Sequence, residues 1–353
     1  MENEKMNEMK PEKKKKGKKI LLIVGLSILG LLLALMIAGL IFGKSLLGMI
    51  GRLDPDETIS QSEIDAILDE TDPVDPDFTG PVMDENDVET PDETVKPVEL
   101  SDNIINFMLV GQDRRPGQGR QRSDSMILVT INVEKKTLTM TSFMRDLWIK
   151  IPGKFYERLN VPYAIGGFKL LNATMEDQFG VHVDHNVEVD FTGFEGVIDK
   201  VGGVEITLTK SEAGYMNKSN DEWSFEAGTY TLNGEQALCY ARNRKIGSEF
   251  KRTQRQRTIL NEVFKKIKNL SLTEMYDLAE EILPLIKTDM TDSEIMKYIL
   301  ELSKILPEIE IVSQRIPVDD GYQLTMIKKK SVIYLNKKHW KKNLDFLRET
   351  IGE

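Results

Sequence analysis

The sequence predicts an α/β domain, an α–β–α sandwich with a mixed central sheet, preceded by one transmembrane helix. Three observations carry that expectation. From residue 103 onward, short apolar runs of strand character alternate with runs of helical period, in the order strand, helix, strand. Before them, the 24 residues 20–43, "ILLIVGLSILGLLLALMIAGLIFG", contain no charge. Between the two, residues 54–102 hold eighteen Asp plus Glu against one Lys, with few large apolar side chains.

The N-terminal organisation follows from these runs. Residues 1–19 carry eight Lys and four Glu and form a basic tail. As a helix, residues 20–43 reach about 36 Å, enough to cross a hydrocarbon core of roughly 30 Å with some tilt. A cleaved signal peptide is the rival reading, but its apolar region is usually only about 7–15 residues long. No A-x-A pattern follows the run, which therefore reads as an uncleaved single-pass membrane anchor. The Lys cluster before it keeps the N-terminus cytoplasmic. The domain over 103–353 is then extracellular at the cell membrane, on an acidic, disordered, self-repelling linker over 44–102. Spacing from the membrane or repulsion from anionic wall polymers accounts for the acidity. Within the linker, "SEIDAILDE" has the composition of a short helical turn.

Composition narrows the chemistry. The net charge of −10 belongs to the linker, because from residue 103 onward 35 acids balance 36 bases. No nucleic-acid partner is expected of so neutral a domain. A single cysteine, Cys239, excludes an intrachain disulfide. Three His and one Cys suit a zinc site poorly, so any metal should be a hard cation on carboxylates.

In chain order, "IINFMLV" (104–110) is a strand, and "MILVTINV" (126–133) and "TLTMTSF" (137–143) form a hairpin turning near Lys135. "GGFKLLNATMEDQFG" predicts a helix over 168–179 stopped by Gly180, with Asn160 and the Gly166-Gly167 pair shaping the turn into it. His182 and His185 read as loop residues, and Trp148, Trp223 and Trp340 as packing or loop aromatics. "NVEVDF" alternates, with Val187, Val189 and Phe191 on one face. "TGFEGVIDKVGG" is a helix with Phe194, Val197, Ile198 and Val201 in one stripe, and "VEITLT" is the next strand. Asn233 caps the helix of "LNGEQALCYARNR", with Gln236 as its capping-box partner. "RTQRQRTILNEVFKKIKNL" is a longer helix. The helix "DSEIMKYILELSKIL", a late strand pair in "EIEIVSQRIPV" and "LTMIKKKSVIYL", and a closing helix complete the chain.

Two constellations carry chemistry. Antiparallel pairing of the hairpin brings Asp124 opposite Arg145 and Asp146, so its open end gathers Arg122, Asp124, Arg145 and Asp146. If the strand over 104–110 ends on the same side, Asp113 joins them. Carboxylates hold hard cations, and guanidiniums hold phosphate oxygens in a fork. A surface salt-bridge cluster is the alternative. On the helix after Arg252, steps of about 100° per residue put Gln256 at the centre of the apolar stripe Ile259, Leu260, Val263 and Ile267, with Arg252 close by. Arg255 and Arg257 fall about 100° to either side, and Arg257 is expected to matter little. An inward Arg at a positive helix end marks an anion site, with an Arg stem packed on apolar surface as the alternative. Arg242 and Arg244 lie just upstream.

The residues 106–260 resemble the LytR–CpsA–Psr family, on "RSDSMILVTIN", "TSFMRD", "LNVPYAIGG", "VDFTGF…VGGVEI", "LNGEQALCYARNR" and "FKRTQRQR" in this order. That resemblance implies a phosphotransferase. Such enzymes move teichoic acid, capsule or another wall glycan from a polyprenyl-diphosphate carrier to a muramic acid hydroxyl of peptidoglycan. It implies Mg²⁺ (or Mn²⁺) on Asp113 and Asp124, with the phosphates clamped by Arg122, Arg145, Arg242, Arg244 and Arg252 and contacted by Gln256. Asp146 would orient an arginine or take the proton of the attacking hydroxyl, and the polyprenyl tail would fill an apolar tunnel. A polyprenyl-phosphate-binding sensor and a hydrolase of the diphosphate are the alternatives. Two features depart from the family. The stretch "KIGSEFK" is short where family members often carry a longer loop with an Asp-Asp pair, and Glu249-Phe250-Lys251-Arg252 stands where Asp-Phe-Gly-Arg is common.

Overall fold

The expected hairpin lies near the middle of the sheet on which the domain is built. The computed structural model describes residues 51–53, 59–69, 71, 80–89, 95–101, 103–112 and 119–352. The membrane anchor expected over 20–43 lies outside the described residues, and among the described residues no helix is long and apolar enough to cross a membrane. Among the described residues the first elements are β1 (Gly51–Arg52) and α1 (Gln61–Asp69), then β2 (Ile104–Gln112), β3 (Ser123–Asn132) and β4 (Thr137–Phe143). The short strands β5 (Trp148–Lys150) and β6 (Tyr156–Arg158) precede α2 (Val161–Phe179), β7 (His185–Val189), α3 (Phe191–Lys200) and β8 (Val204–Leu208). Next come α4 (Lys210–Ser219), β9 (Gly228–Leu232), α5 (Gly234–Arg242), α6 (Glu249–Lys268) and α7 (Leu272–Ile282). The chain closes with β10 (Lys287–Thr288), α8 (Asp292–Ile305), β11 (Glu310–Ile316), β12 (Gln323–Ile327), β13 (Lys330–Tyr334) and α9 (Lys337–Ile351).

The seven-stranded sheet has the order β1-β10-β7-β2-β3-β4-β11. It is mixed: β2–β3 and β3–β4 are antiparallel, and β2–β7 and β4–β11 are parallel. β3 is buried almost throughout, as its apolar run requires of a strand covered on both faces. On one face Met108, Val110, Leu128 and Phe143 pack with Leu171, Met175 and Phe179 of α2 and Trp340, Leu344 and Leu347 of α9. On the other, Ile127, Val129, Ile131, Leu138 and Met140 meet Ile305 of α8 and the partly buried Leu260 and Phe264 of α6. A third cluster joins β8, β9 and helices α3 to α6.

Three expectations about strands and linker change. β8 leaves the main sheet and pairs with β9 instead. The late strands do not pair with each other: β11 adds in parallel to the open edge of β4, while the run over 323–334 is a hairpin by itself. Its two-residue turn, Lys328-Lys329, has φ of 49° and 61°, the left-handed pair that a tight hairpin demands. Last, described parts of the acidic segment are folded onto the domain. Ile67 and Leu68 of α1 pack against the main core, and Val98 is buried there with its N–H on the Gly180 carbonyl. The apolar residues scattered among the acids supply this contact.

α2 starts earlier than the sequence indicates and is broken at Gly167, where φ is 60° and ψ is −159°. A Cβ there would lie 2.0 Å from Arg120 Nη1. Gly167 therefore makes room for the buried Arg120 guanidinium rather than only shaping a turn. Gly167→Ala combines a left-handed φ with this overlap and should cost on the order of 2 kcal/mol or more. A thermal melt should show a Tm several degrees lower, and an unchanged melt would refute the overlap.

Candidate active site

Antiparallel pairing sets the start of β3 beside the ends of β2 and β4. Gln112 pairs with Ser123, and Ile127 with Ser142, a register that continues to Asp124 and Arg145. β7 and β11, parallel to their neighbours, finish at the same end. The expected juxtaposition is present. Arg145 Nη1 donates to Asp124 Oδ1 at 2.8 Å, Arg244 Nη2 donates to the same oxygen at 3.1 Å, and Arg252 Nη1 lies 3.8 Å from it. Glu249, which entered the sequence analysis only as a departure from the family, is a second carboxylate in this cluster. Its Oε1 is 3.4 Å from Arg145 Nη2 and its Oε2 is 2.7 Å from Arg252 Nη2.

The electrostatics follow from burial. The Arg145 and Arg252 side chains are 11% and 4% exposed, whereas Arg244 is 52% exposed. Burial first, and the neighbouring Arg145 next, push the Arg252 guanidinium down to about 10, while Glu249 and Asp124 act against the shift. Arg252 also stands in the first turn of α6, where the helix dipole disfavours a cation and Glu249 compensates. Three guanidiniums meet two carboxylates here. A ligand phosphate would replace these carboxylates with a stronger match to the arginine forks.

The remaining predicted residues fall around this centre. Asp146 flanks Arg145 on its other side, with Oδ1 3.6 Å from Arg145 Nε and 3.8 Å from Nη1 of the fully buried Arg158. Arg122 donates to the Ile67 carbonyl at the end of α1. Arg242 is exposed, with its guanidinium 4.1 Å over the Phe191 ring. Asp113 lies outside the described residues, although Gln112 Oε1 accepts from the Gln121 N–H at 3.0 Å across the ends of its loop. Sequence reasoning missed Arg158 and misplaced Arg255, which is buried rather than to the side. Arg255 donates to the carbonyls of Tyr240 at 3.1 Å, Ile246 at 3.2 Å and Asn243. The open carbonyls at the end of α5 were the available signal. The apolar stripe of α6 could not reveal that α5 also covers this helix.

Of the two carboxylates expected to hold a divalent ion, Asp124 is the described one, and its Oδ2 takes no part in these ion pairs. Among the described residues no group of three or more His, Cys, Asp or Glu could hold a metal. That donor set fits Mg²⁺ shared with ligand phosphates, which needs only one or two carboxylates, and not an all-protein cage.

A cavity of about 850 Å³ adjoins the cluster. Asp124, Arg242, Arg244, Arg252 and Gln256 share its lining with apolar side chains of β2, β3, β7, α3, α5 and α6, among them Ile127, Val187, Val189, Phe194, Leu238 and Ile259. The alternating face read in "NVEVDF" is thus a cavity wall at Val187 and Val189.

Guanidiniums beside an apolar cavity at the end of a mixed sheet define a class of protein that can hold a phosphorylated amphiphile, head on the arginines and tail in the cavity. The chain belongs to the LytR–CpsA–Psr family, whose model matches residues 78–349. It is similar to the polyisoprenyl-teichoic acid–peptidoglycan teichoic acid transferase TagT of Bacillus subtilis, 35% identical over 189 residues, covering 52% of this chain and 59% of that one. The chain thus spans less than two thirds of that relative's length. It is also similar to the regulatory protein MsrR of Staphylococcus aureus, 32% identical over 227 residues, covering 63% and 67%. A solved structure of the family protein YwtF (TagT) with bound octaprenyl pyrophosphate lipid matches with a TM-score of 0.54 and 25% identity, covering 75% of this chain and all of that one.

Arg255→Lys removes the fork that holds three carbonyls and should destabilise the domain by roughly 2 kcal/mol or more. Chemical denaturation measures the loss, and hydrogen exchange should quicken over residues 243–248. A variant as stable as the parent would deny Arg255 this structural role.

Proposed function

We propose that the chain is a phosphotransferase that moves an anionic or secondary wall glycan, such as teichoic acid or capsule, from a polyprenyl-diphosphate carrier to a muramic acid hydroxyl of peptidoglycan. The observation that carries the reading is the direct adjoining of the Asp124–Arg145–Arg252–Glu249 cluster to an apolar cavity. The family and a relative with bound octaprenyl pyrophosphate support it.

The residues can divide the work as follows. The lipid tail fills the cavity. Arg145, Arg244 and Arg252 exchange their carboxylate partners for diphosphate oxygens, with Arg122, Arg242 and Gln256 around them. The acceptor oxygen bonds to the glycan-bearing phosphorus, the bond from that phosphorus to the bridging oxygen breaks, and polyprenyl phosphate leaves, taking up the proton that the acceptor hydroxyl gives off. Phosphoryl transfer needs chiefly positioning and charge neutralisation, which buried arginines provide without reorganising. When bound, Mg²⁺ on Asp113 and Asp124 would neutralise the diphosphate. Asp146, beside Arg145 Nε and Arg158, suits the role of orienting that arginine. A lipid donor must be met at the membrane, so an N-terminal single-pass anchor over 20–43 and an extracellular domain complete the proposal.

MsrR bears the name of a regulatory protein, which favours one second reading, a sensor that binds polyprenyl phosphates without turnover. The test is to incubate the full-length chain in detergent with a polyprenyl-diphosphate-linked glycan and peptidoglycan fragments, with Mg²⁺ or EDTA, and to follow the glycan by mass spectrometry. Mg²⁺-dependent glycan on muramic acid is expected. Binding without transfer or release would establish the sensor, and release into water alone a hydrolase. Asp124→Ala and Arg145→Ala should each lower transfer by roughly a hundredfold or more while retaining a cooperative melt. Near-normal turnover in either variant would overturn the site.

A further inference from the structure

We propose that Arg257 and Arg315 form a second anion-binding subsite, on the face of α6 turned from the apolar cavity, which receives a phosphate or carboxylate of the glycan carried by the donor. The proposal rests on the transferase reading and extends it to the glycan.

Arg257 was expected to matter little, but its surroundings are unusual. It is half-buried, its Nη1 is enclosed without a hydrogen-bond partner, and among the described residues no carboxylate pairs with it. The charged group whose field acts on it is another cation, Arg315. Arg315 Nη1 donates to the Pro317 carbonyl at 2.6 Å, its Nη2 pairs with the exposed Asp319, and its guanidinium lies 4.5 Å over the Phe250 ring. Phe250 and Arg257 are seven residues apart and so share one face of α6. Burial first, and then the charge of Arg315, push the Arg257 guanidinium down to about 10. The neighbouring strand is polar there too: Ser142, the register partner of Arg315, is 1% exposed and its Oγ has no hydrogen-bond partner among the described residues.

A half-buried guanidinium beside a like charge, with unmade hydrogen bonds, is costly unless an anion joins it. Two arginine forks suit a phosphate or carboxylate. The location selects the donor's glycan. Gln256, Ile259 and Val263 give the cavity a different face of α6, so the lipid lies elsewhere. Phe250 directly follows Glu249, so the subsite lies next to the arginine cluster.

The test uses the full-length chain in detergent, saturated with polyprenyl diphosphate so that the main cluster is filled. Calorimetry then follows titration with an oligo(glycerol phosphate), an oligo-uronic acid and a muramyl peptide. At least one of the first two should bind, and Arg257→Gln and Arg315→Gln should each weaken it at least tenfold, about 1.4 kcal/mol. The oligomer that responds tells phosphate from carboxylate. Among the described residues Arg257 makes no hydrogen bond that Arg257→Gln would break, and a melt checks that the variant folds. Absence of binding to both oligomers, unchanged affinity in both variants, or a loss confined to the muramyl peptide would each overturn the proposal. If polyprenyl diphosphate itself fails to bind, the transferase reading falls. The same titrations without lipid then decide the subsite, a tenfold loss in Arg257→Gln still supporting it and no loss overturning it.

Discussion

The ion pair between Arg145 and Asp124 is the constraint on which the site depends. Two nearly buried arginines, Arg145 and Arg252, stand side by side at the end of the sheet, and cations removed from water need anions within reach. Asp124 and Glu249 meet that need without a ligand. On the proposed function, a diphosphate would offer more acceptor oxygens and more charge, and its binding would be an exchange of partners on donors already in place. Electrostatic preorganisation of this kind favours phosphoryl transfer.

Helix α6 makes the arrangement possible because it is buried on more than one side. One face lines the cavity through Gln256, Ile259 and Val263. Another, with Arg255, holds the loop between α5 and α6 and so places Arg244 over Asp124. A third, with Phe250 and Arg257, turns to β11. The acidic segment adds a further tie. The carbonyl of Ile67 accepts from Arg122, and that of Leu68 accepts from Lys330 Nζ at 2.8 Å. The segment therefore contributes to the surroundings of the site, and its described helix is part of the folded body.

Much of the centre was legible because it is local or follows from one hairpin. The turn at Glu134–Lys136 sets the register, and the register alone places Asp124 opposite Arg145. Asn233 and Gln236 form the expected capping box. Gly180 ends α2 in the left-handed conformation. Glu249 and Arg255 were less legible. Helical periodicity finds one apolar stripe, whereas these residues answer to Arg145 on β4 and to carbonyls of the preceding loop.

By itself, then, the sequence determined the hairpin and its register, the caps at Asn233 and Gly180, the apolar stripes of α3 and α6 and the motifs that mark the family. These depend on neighbours a few residues apart, where backbone geometry leaves few choices. Only the tertiary structure decided that β11 rather than β8 completes the sheet, that α6 is covered on several sides, and that Glu249 joins Asp124 between the arginines. Those outcomes follow from which edge and which face remain open once the rest of the chain has packed. Pairings across more than a hundred residues leave no period in the sequence.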